Sequence, residues 1–126
     1  MAVLLTSARD VACDAIVDLL DNGGAGQLEL ISSAGPTTLA VLPLSNPAFG
    51  ASSTGVATAN AITDETSAVN TGTTDAYYLK AGTGDVVLSG DVGTGSQDIV
   101  LNTTSITIGD SISITSLTIT VPAGTP

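Results

Sequence analysis

The stretch from Asp98 to Val121 sets the tightest limit on what this chain can fold into. It runs Asp-Ile-Val-Leu-Asn-Thr-Thr-Ser-Ile-Thr-Ile-Gly-Asp-Ser-Ile-Ser-Ile-Thr-Ser-Leu-Thr-Ile-Thr-Val, with large aliphatics alternating with small hydroxyl residues. A period of two gives strands with one buried and one wet face. The β-branched side chains, stiff at χ1, suit a pleated surface better than a helix. No other part of the chain alternates so cleanly, so this segment is expected to be the frame on which the rest packs. Ile106 and Ile108 are expected on one face before a turn at Gly109-Asp110, and Ile112 and Ile114 on one face of the next strand. Leu117, Ile119 and Val121 alternate in the opposite phase. A β-bulge near Thr115-Ser116 restores the facing; burial on both faces, as in a central strand between two layers, is the alternative.

The preceding chain supplies one helix and further strands. Ser7 is a candidate N-cap for a helix over about 7–21, with Asp10 as the acidic half of a capping box and Asn22-Gly23-Gly24 at its end. Val11, Ala12, Ala15, Ile16, Leu19 and Leu20 recur at helical spacing. That stripe is expected to pack in the core, with docking on another surface as the alternative. Asp10, Asp14, Asp18 and Asp21 are expected to form a solvated face. Strands are expected at 27–32, 38–42, 55–62, 76–81 and 86–92. Pro43 and Pro47 bar a central strand between them, Phe49 is expected to anchor that turn, and 64–74 reads as a mobile loop. Adjacent Tyr77 and Tyr78 must point to opposite faces of their strand. Short strands separated by Gly- and Pro-marked turns predict an all-β, jelly-roll-like sandwich of about eight strands with one N-terminal amphipathic helix, in a single domain over 1–126 with a tail at 122–126.

Charge narrows the partners. The chain carries a formal charge of −10, with Arg9 and Lys80 its only cations. Nucleic-acid binding needs cations against phosphates, and anionic membranes repel an acidic surface; neither partner is expected. No apolar run approaches the length of a membrane span. No basic segment precedes the short run Ala2-Val3-Leu4-Leu5, so Sec export is not expected. Only 2% of residues are aromatic, so the core is expected to be aliphatic and part of the stability to come from self-association or a large partner surface.

Chemistry-bearing residues are sparse. The chain has no His, and Cys13 is its one cysteine, expected as a small buried residue. Zinc sites and Cys-His nucleophiles therefore lack ligands or a base. Asp85 and Asp91, in the repeated Gly-Asp-Val, are candidate oxygen ligands for calcium, but their spacing does not match an EF-hand loop and turn aspartates are the expected reading. Gly82-x-Gly84 and Gly93-x-Gly95 are too short for a phosphate fingerprint. No catalytic, cofactor-binding or metal residues are expected, and no enzymatic activity.

Several blocks together carry a family resemblance. They are Leu19-Leu20-Asp21-Asn22-Gly23, Leu42-Pro43-Leu44-Ser45-Asn46-Pro47-Ala48-Phe49-Gly50, Gly55-Val56-Ala57-Thr58-Ala59-Asn60, and Asn102-Thr103-Thr104-Ser105 with Ser116-Leu117-Thr118-Ile119-Thr120-Val121-Pro122. Over almost its whole length the chain resembles the capsid decoration (cement) proteins of tailed bacteriophages, small virion proteins encoded beside the major capsid protein. The resemblance implies a jelly-roll-like fold and a homo-oligomer, dimer or trimer, bound to the major capsid protein on the outside of the phage head, after synthesis in the bacterial cytoplasm. It brings no catalytic residues. Edge strands and the two terminal segments, 1–5 and 122–126, are the expected contact elements. A tail, fibre or adhesin-like β-sandwich that binds carbohydrate is the other reading; it needs aromatic platforms, for which only Phe49, Tyr77 and Tyr78 are available.

Overall fold

The segment Gln27–Ser32 alternates Leu28 and Leu30 with Gln27 and Glu29, and it forms the inner strand of the largest sheet. The computed structural model describes residues 5–114 and 116–121. Its elements are α1 (Thr6–Asp18), a 3-10 turn (Leu19–Asp21), β1 (Gln27–Ser32), β2 (Thr37–Pro43), β3 (Val56–Thr58), β4 (Gly72–Thr73), β5 (Ala76–Lys80), β6 (Val86–Gly93), β7 (Ile99–Val100), β8 (Ser105–Ile106) and β9 (Thr118–Thr120). The fold is all-β and sandwich-like, with one N-terminal helix. A five-stranded sheet runs in the order β2-β1-β5-β6-β7, and two-stranded ribbons form from β3 with β9 and β4 with β8.

Register explains the core. Leu28 lies opposite Leu42 and Leu79, Leu30 opposite Ala40 and Tyr77, and Leu79 opposite Leu88. Directly opposed residues share a face, so these side chains form one apolar surface. Cys13, Val17 and Leu20 from the helical segment, Ala57 from β3, Ile106 from β8 and Leu117 beside β9 join it in one cluster. Strands were expected close to β1, β2, β5 and β6 but not as the short β7, and β5 keeps the expected split, with Tyr77 buried and Tyr78 half-buried.

The C-terminal segment is not the frame. Its regular structure is limited to β7, β8 and β9, each two or three residues long. Outside β7 it pairs in short contacts with segments beyond the main sheet, such as β8 with β4, β9 with β3 and the reciprocal bonds between Glu65 and Ile112. Ile106 and Ile108 do not share a face: Ile106 is buried, whereas Ile108 enters the turn before Gly109 and is 63% exposed. Ile112, Ile114, Leu117, Ile119 and Val121 all belong to the core or pack against it, despite their opposite phases. The bulge expected at Thr115-Ser116 involves Thr115, which lies outside the described residues, as do the terminal segments 1–4 and 122–126. Register shifts occur instead at Leu30/Ile31 and Leu79/Lys80.

The two edges of the main sheet differ. The outer edge of β2 is covered by residues 63–70. Thr63 N–H donates to the Pro43 carbonyl, and Val69 N–H to Leu39, both at 2.9 Å. Val41 N–H donates to Glu65 Oε2 at 3.0 Å, and Asn70 Nδ2 to the Thr38 carbonyl at 2.7 Å. The segment read as a mobile loop is thus an edge cover, with Ala68 and Thr74 buried. The opposite edge, β6, is paired by β7 only at Val92 and Gly93.

Candidate docking surfaces

Helix α1 is turned from the facing its sequence implies: of the expected stripe Leu20 is buried and Ala12 and Ile16 are half-buried, but Val11, Ala15 and Leu19 are exposed. Cys13 and Val17 are its buried residues, followed by Leu20 in the 3-10 turn. Val11 and Leu19 are 71% and 54% exposed, and Ala8 and Ala15 are exposed as well. Ser7 makes no capping bond; the N-cap position is Leu5. The physical reason is the acid row. Asp10 Oδ1 accepts the Gly55 N–H at 2.7 Å, Asp14 Oδ1 the Ser52 N–H at 2.8 Å, and Asp21 Oδ1 the Ala48 N–H at 2.9 Å. These carboxylates hold the turn-rich loop 48–55, whose main chain has few partners of its own, and hydrogen bonds to ionised acceptors are the stronger kind. Only Asp18 of the row is solvent-exposed. Arg9 completes the clasp, donating from Nε to the Val121 carbonyl at 3.1 Å and from Nη2 to the Thr54 carbonyl. Thr54 and Gly55, with φ of 53° and 79°, form a two-residue turn closed by reciprocal bonds between Ser53 and Val56.

The outward stripe Ala8, Val11, Ala15, Leu19 continues across a concavity of about 240 Å³ to Val86 and Val87 at the start of β6, where Val86 is 51% exposed. Exposed aliphatic side chains thus lie on the helix and, across this concavity, at the start of β6, with Asn22, Thr83 and Asp85 also in its lining.

A second surface lies along the open edge of β6. A cleft of about 500 Å³ separates Leu88 and Ser89 from Thr118–Thr120 of β9, with Tyr77, Gln97 and Asp98 in its lining. Tyr77 Oη donates to Asp98 Oδ2 at 3.3 Å, and Asp98 N–H donates to Asp91 Oδ1 at 3.0 Å. Burial, together with the Asp98 charge, pushes the Tyr77 phenol well above its ordinary range. Gly90 lies opposite Tyr77, and a Cβ there would fall 2.7 Å from Tyr77 Oη.

The remaining chemistry-bearing residues serve the fold. Glu29 is 5% exposed on the second face of β1, in an ion pair of 2.9 Å with Lys80 and accepting from Gln27 Nε2 at 2.7 Å and Thr38 Oγ1 at 3.1 Å. Its place in an apolar run, Leu28-Glu29-Leu30-Ile31, was the available signal for a buried charge. Cys13 is buried with its thiol 3.6 Å from the Ile119 carbonyl, and desolvation raises its pKa. Asp85 and Asp91 are not brought together as ligands: Asp85 accepts from Thr83 Oγ1 in the β5–β6 turn, whereas Asp91 bonds Asp98. Among the described residues no group of three or more potential ligands is clustered, and no helix is long and apolar enough to cross a membrane. Phe49 and Tyr77 are buried in the core. Comparison with protein-family models, with curated proteins and with solved structures finds no match to this chain.

Proposed function

We propose that the chain is a non-enzymatic capsid decoration protein, which binds the outside of an icosahedral phage head and stabilises contacts between capsomers of the major capsid protein. The observation that carries this reading is the set of exposed aliphatic side chains on α1 and β6. Several large aliphatic side chains exposed on one helix face and on the neighbouring strand offer a surface that another protein can cover. The family resemblance supplies the identity of that protein. Other features agree with an interaction role. The carboxylates of Asp10, Asp14, Asp21, Glu29 and Glu65 are committed as acceptors that hold the fold.

A protein of this kind stabilises a shell by binding the assembled form and not its parts, and repetition over a lattice multiplies a weak single contact. The carbohydrate-binding alternative is disfavoured, because Phe49 and Tyr77 are buried, which leaves only the half-buried Tyr78 as an aromatic platform. The test is a V11D/L19D double variant, co-sedimented with expanded heads that lack the protein. Both side chains are exposed, so stability should change by less than about 0.5 kcal/mol per site, while head binding is lost. A variant that still saturates heads overturns the assignment of this face.

A further inference from the structure

The cleft between β6 and β9 is bounded by two strand edges. In the β5–β6 ladder, Val92 N–H donates to the Asp75 carbonyl, and Gly90 and Leu88 lie opposite Tyr77 and Leu79. Main-chain groups alternate along an antiparallel pair, so Leu88 and Gly90 face β5 and the N–H and C=O of Ser89 face the cleft. In the β3–β9 ribbon, Ala59 N–H donates to Leu117 and Val121 N–H to Gly55, with Ala57 opposite Ile119. The same alternation turns the main chains of Thr118 and Thr120 away from β3, toward the cleft. Ser89, Thr118 and Thr120 have no main-chain partner on this side among the described residues. Exposed edges of this kind are templates for an added strand.

Charge selects the occupant. Asp98 lines the cleft and Asp91 holds it from behind. The two cations of the chain are engaged elsewhere, Arg9 on Val121 and Thr54 and Lys80 on Glu29. A second copy would bring another charge of −10. We propose that this cleft accepts an extended segment of a partner protein bearing Lys or Arg, which bonds through its main chain to Ser89, Thr118 and Thr120 and sets a cation against Asp98. The segment adds a strand between β6 and β9. Main-chain bonds supply affinity, and the alternate side chains supply selection. The inference stands apart from the capsid reading, since it names the chemistry of a segment and not its source.

The test titrates the full chain with a capped peptide of alternating Lys and Val, followed by amide NMR and hydrogen exchange. The expected result is saturable binding, slowed exchange at Ser89, Thr118 and Thr120, and weakening at higher salt. Alternate N-methylation of the peptide, which removes its donors, should weaken binding at least about ten-fold, and a peptide with Glu for Lys should not bind. Thr118→Pro deletes a donor that faces the cleft and leaves the bonds to β3 in place; it should weaken binding by a similar factor. Absence of saturable binding, or equal binding of the N-methylated peptide, overturns the proposal. It is also overturned if the three amides are already protected in the free protein: protection confined to a dimer assigns the cleft to a second copy, and protection in a monomer assigns it to the chain's own residues outside 5–121.

Discussion

Glu29 sits between Leu28 and Leu30 on β1, and its carboxylate is held by Lys80, Gln27 and Thr38. Removing one partner of such a pair is costlier than removing both, because a buried charge is left uncompensated. K80M should destabilise the protein by about 3 kcal/mol, and E29Q/K80M by clearly less, as measured by urea unfolding. Equal losses would show that Glu29 is adequately solvated without Lys80. Asp75 gives a second test at this scale. It accepts from the Ser33 N–H at 2.8 Å and from the Ser33 hydroxyl, and these bonds hold its carboxyl below the ordinary value of 3.8. A lowered folded-state pKa adds stability that is fully present above the unfolded value and is lost as pH falls through the folded one. S33A should therefore raise the Asp75 carboxyl pKa in an NMR titration and flatten the acid limb of stability below about pH 4. An unmoved titration would place the cause elsewhere. Glu29 was legible as a strand position but not as a buried one, since alternation marks which residues share a face and not whether a second layer covers it.

Helices and strands were legible to different degrees. The boundaries of β1, β2 and β5 follow from local alternation and from Gly and Pro punctuation, and the structure keeps them closely. The helix was found, but its facing only in part: Leu20 packs in the core as expected, whereas Val11 and Leu19 are exposed. A helical period defines two faces, and the apolar one usually turns inward. Here the acid row wins because loop 48–55, distant in sequence, offers three main-chain N–H groups to it. Asp14→Ala should cost about 1–2 kcal/mol in urea unfolding by leaving the Ser52 N–H without its acceptor, whereas Asp14→Asn, which keeps an oxygen there, should recover part of the loss. A neutral D14A would mean that water replaces the carboxylate. The path from helix to β1 depends on Gly26, where a Cβ would fall 2.8 Å from the Leu20 carbonyl oxygen and also strike that of Lys80. Main-chain atoms on both sides cannot step aside, so Gly26→Ala should cost about 3 kcal/mol, the upper part of the overpacking range; a melting curve unchanged from wild type would contradict this packing. The C-terminal segment shows the converse limit. Its alternation predicted a frame of strands, but alternation does not supply partners, and among the described residues only β7, β8 and β9 form.

Across the whole molecule the two sheet edges are treated differently. Residues 63–70 close the β2 edge, while β6 is left open beyond its short pairing with β7. Exposed aliphatic side chains lie on the helix, at Val11 and Leu19, and at the first residues of β6. Docking capacity is thus concentrated around one strand, on a molecule whose charge of −10 opposes indiscriminate association. This arrangement was not legible in the sequence, because edge cover and outward facing depend on contacts between distant segments. The central claim is that this surface clamps the chain to a phage head, and the most direct measurement is its occupancy on expanded heads lacking it, by co-sedimentation and quantitative gel. The account predicts saturable, lattice-stoichiometric binding by the wild type that raises head stability and is abolished in V11D/L19D. Failure of the folded wild-type chain to bind such heads would contradict it.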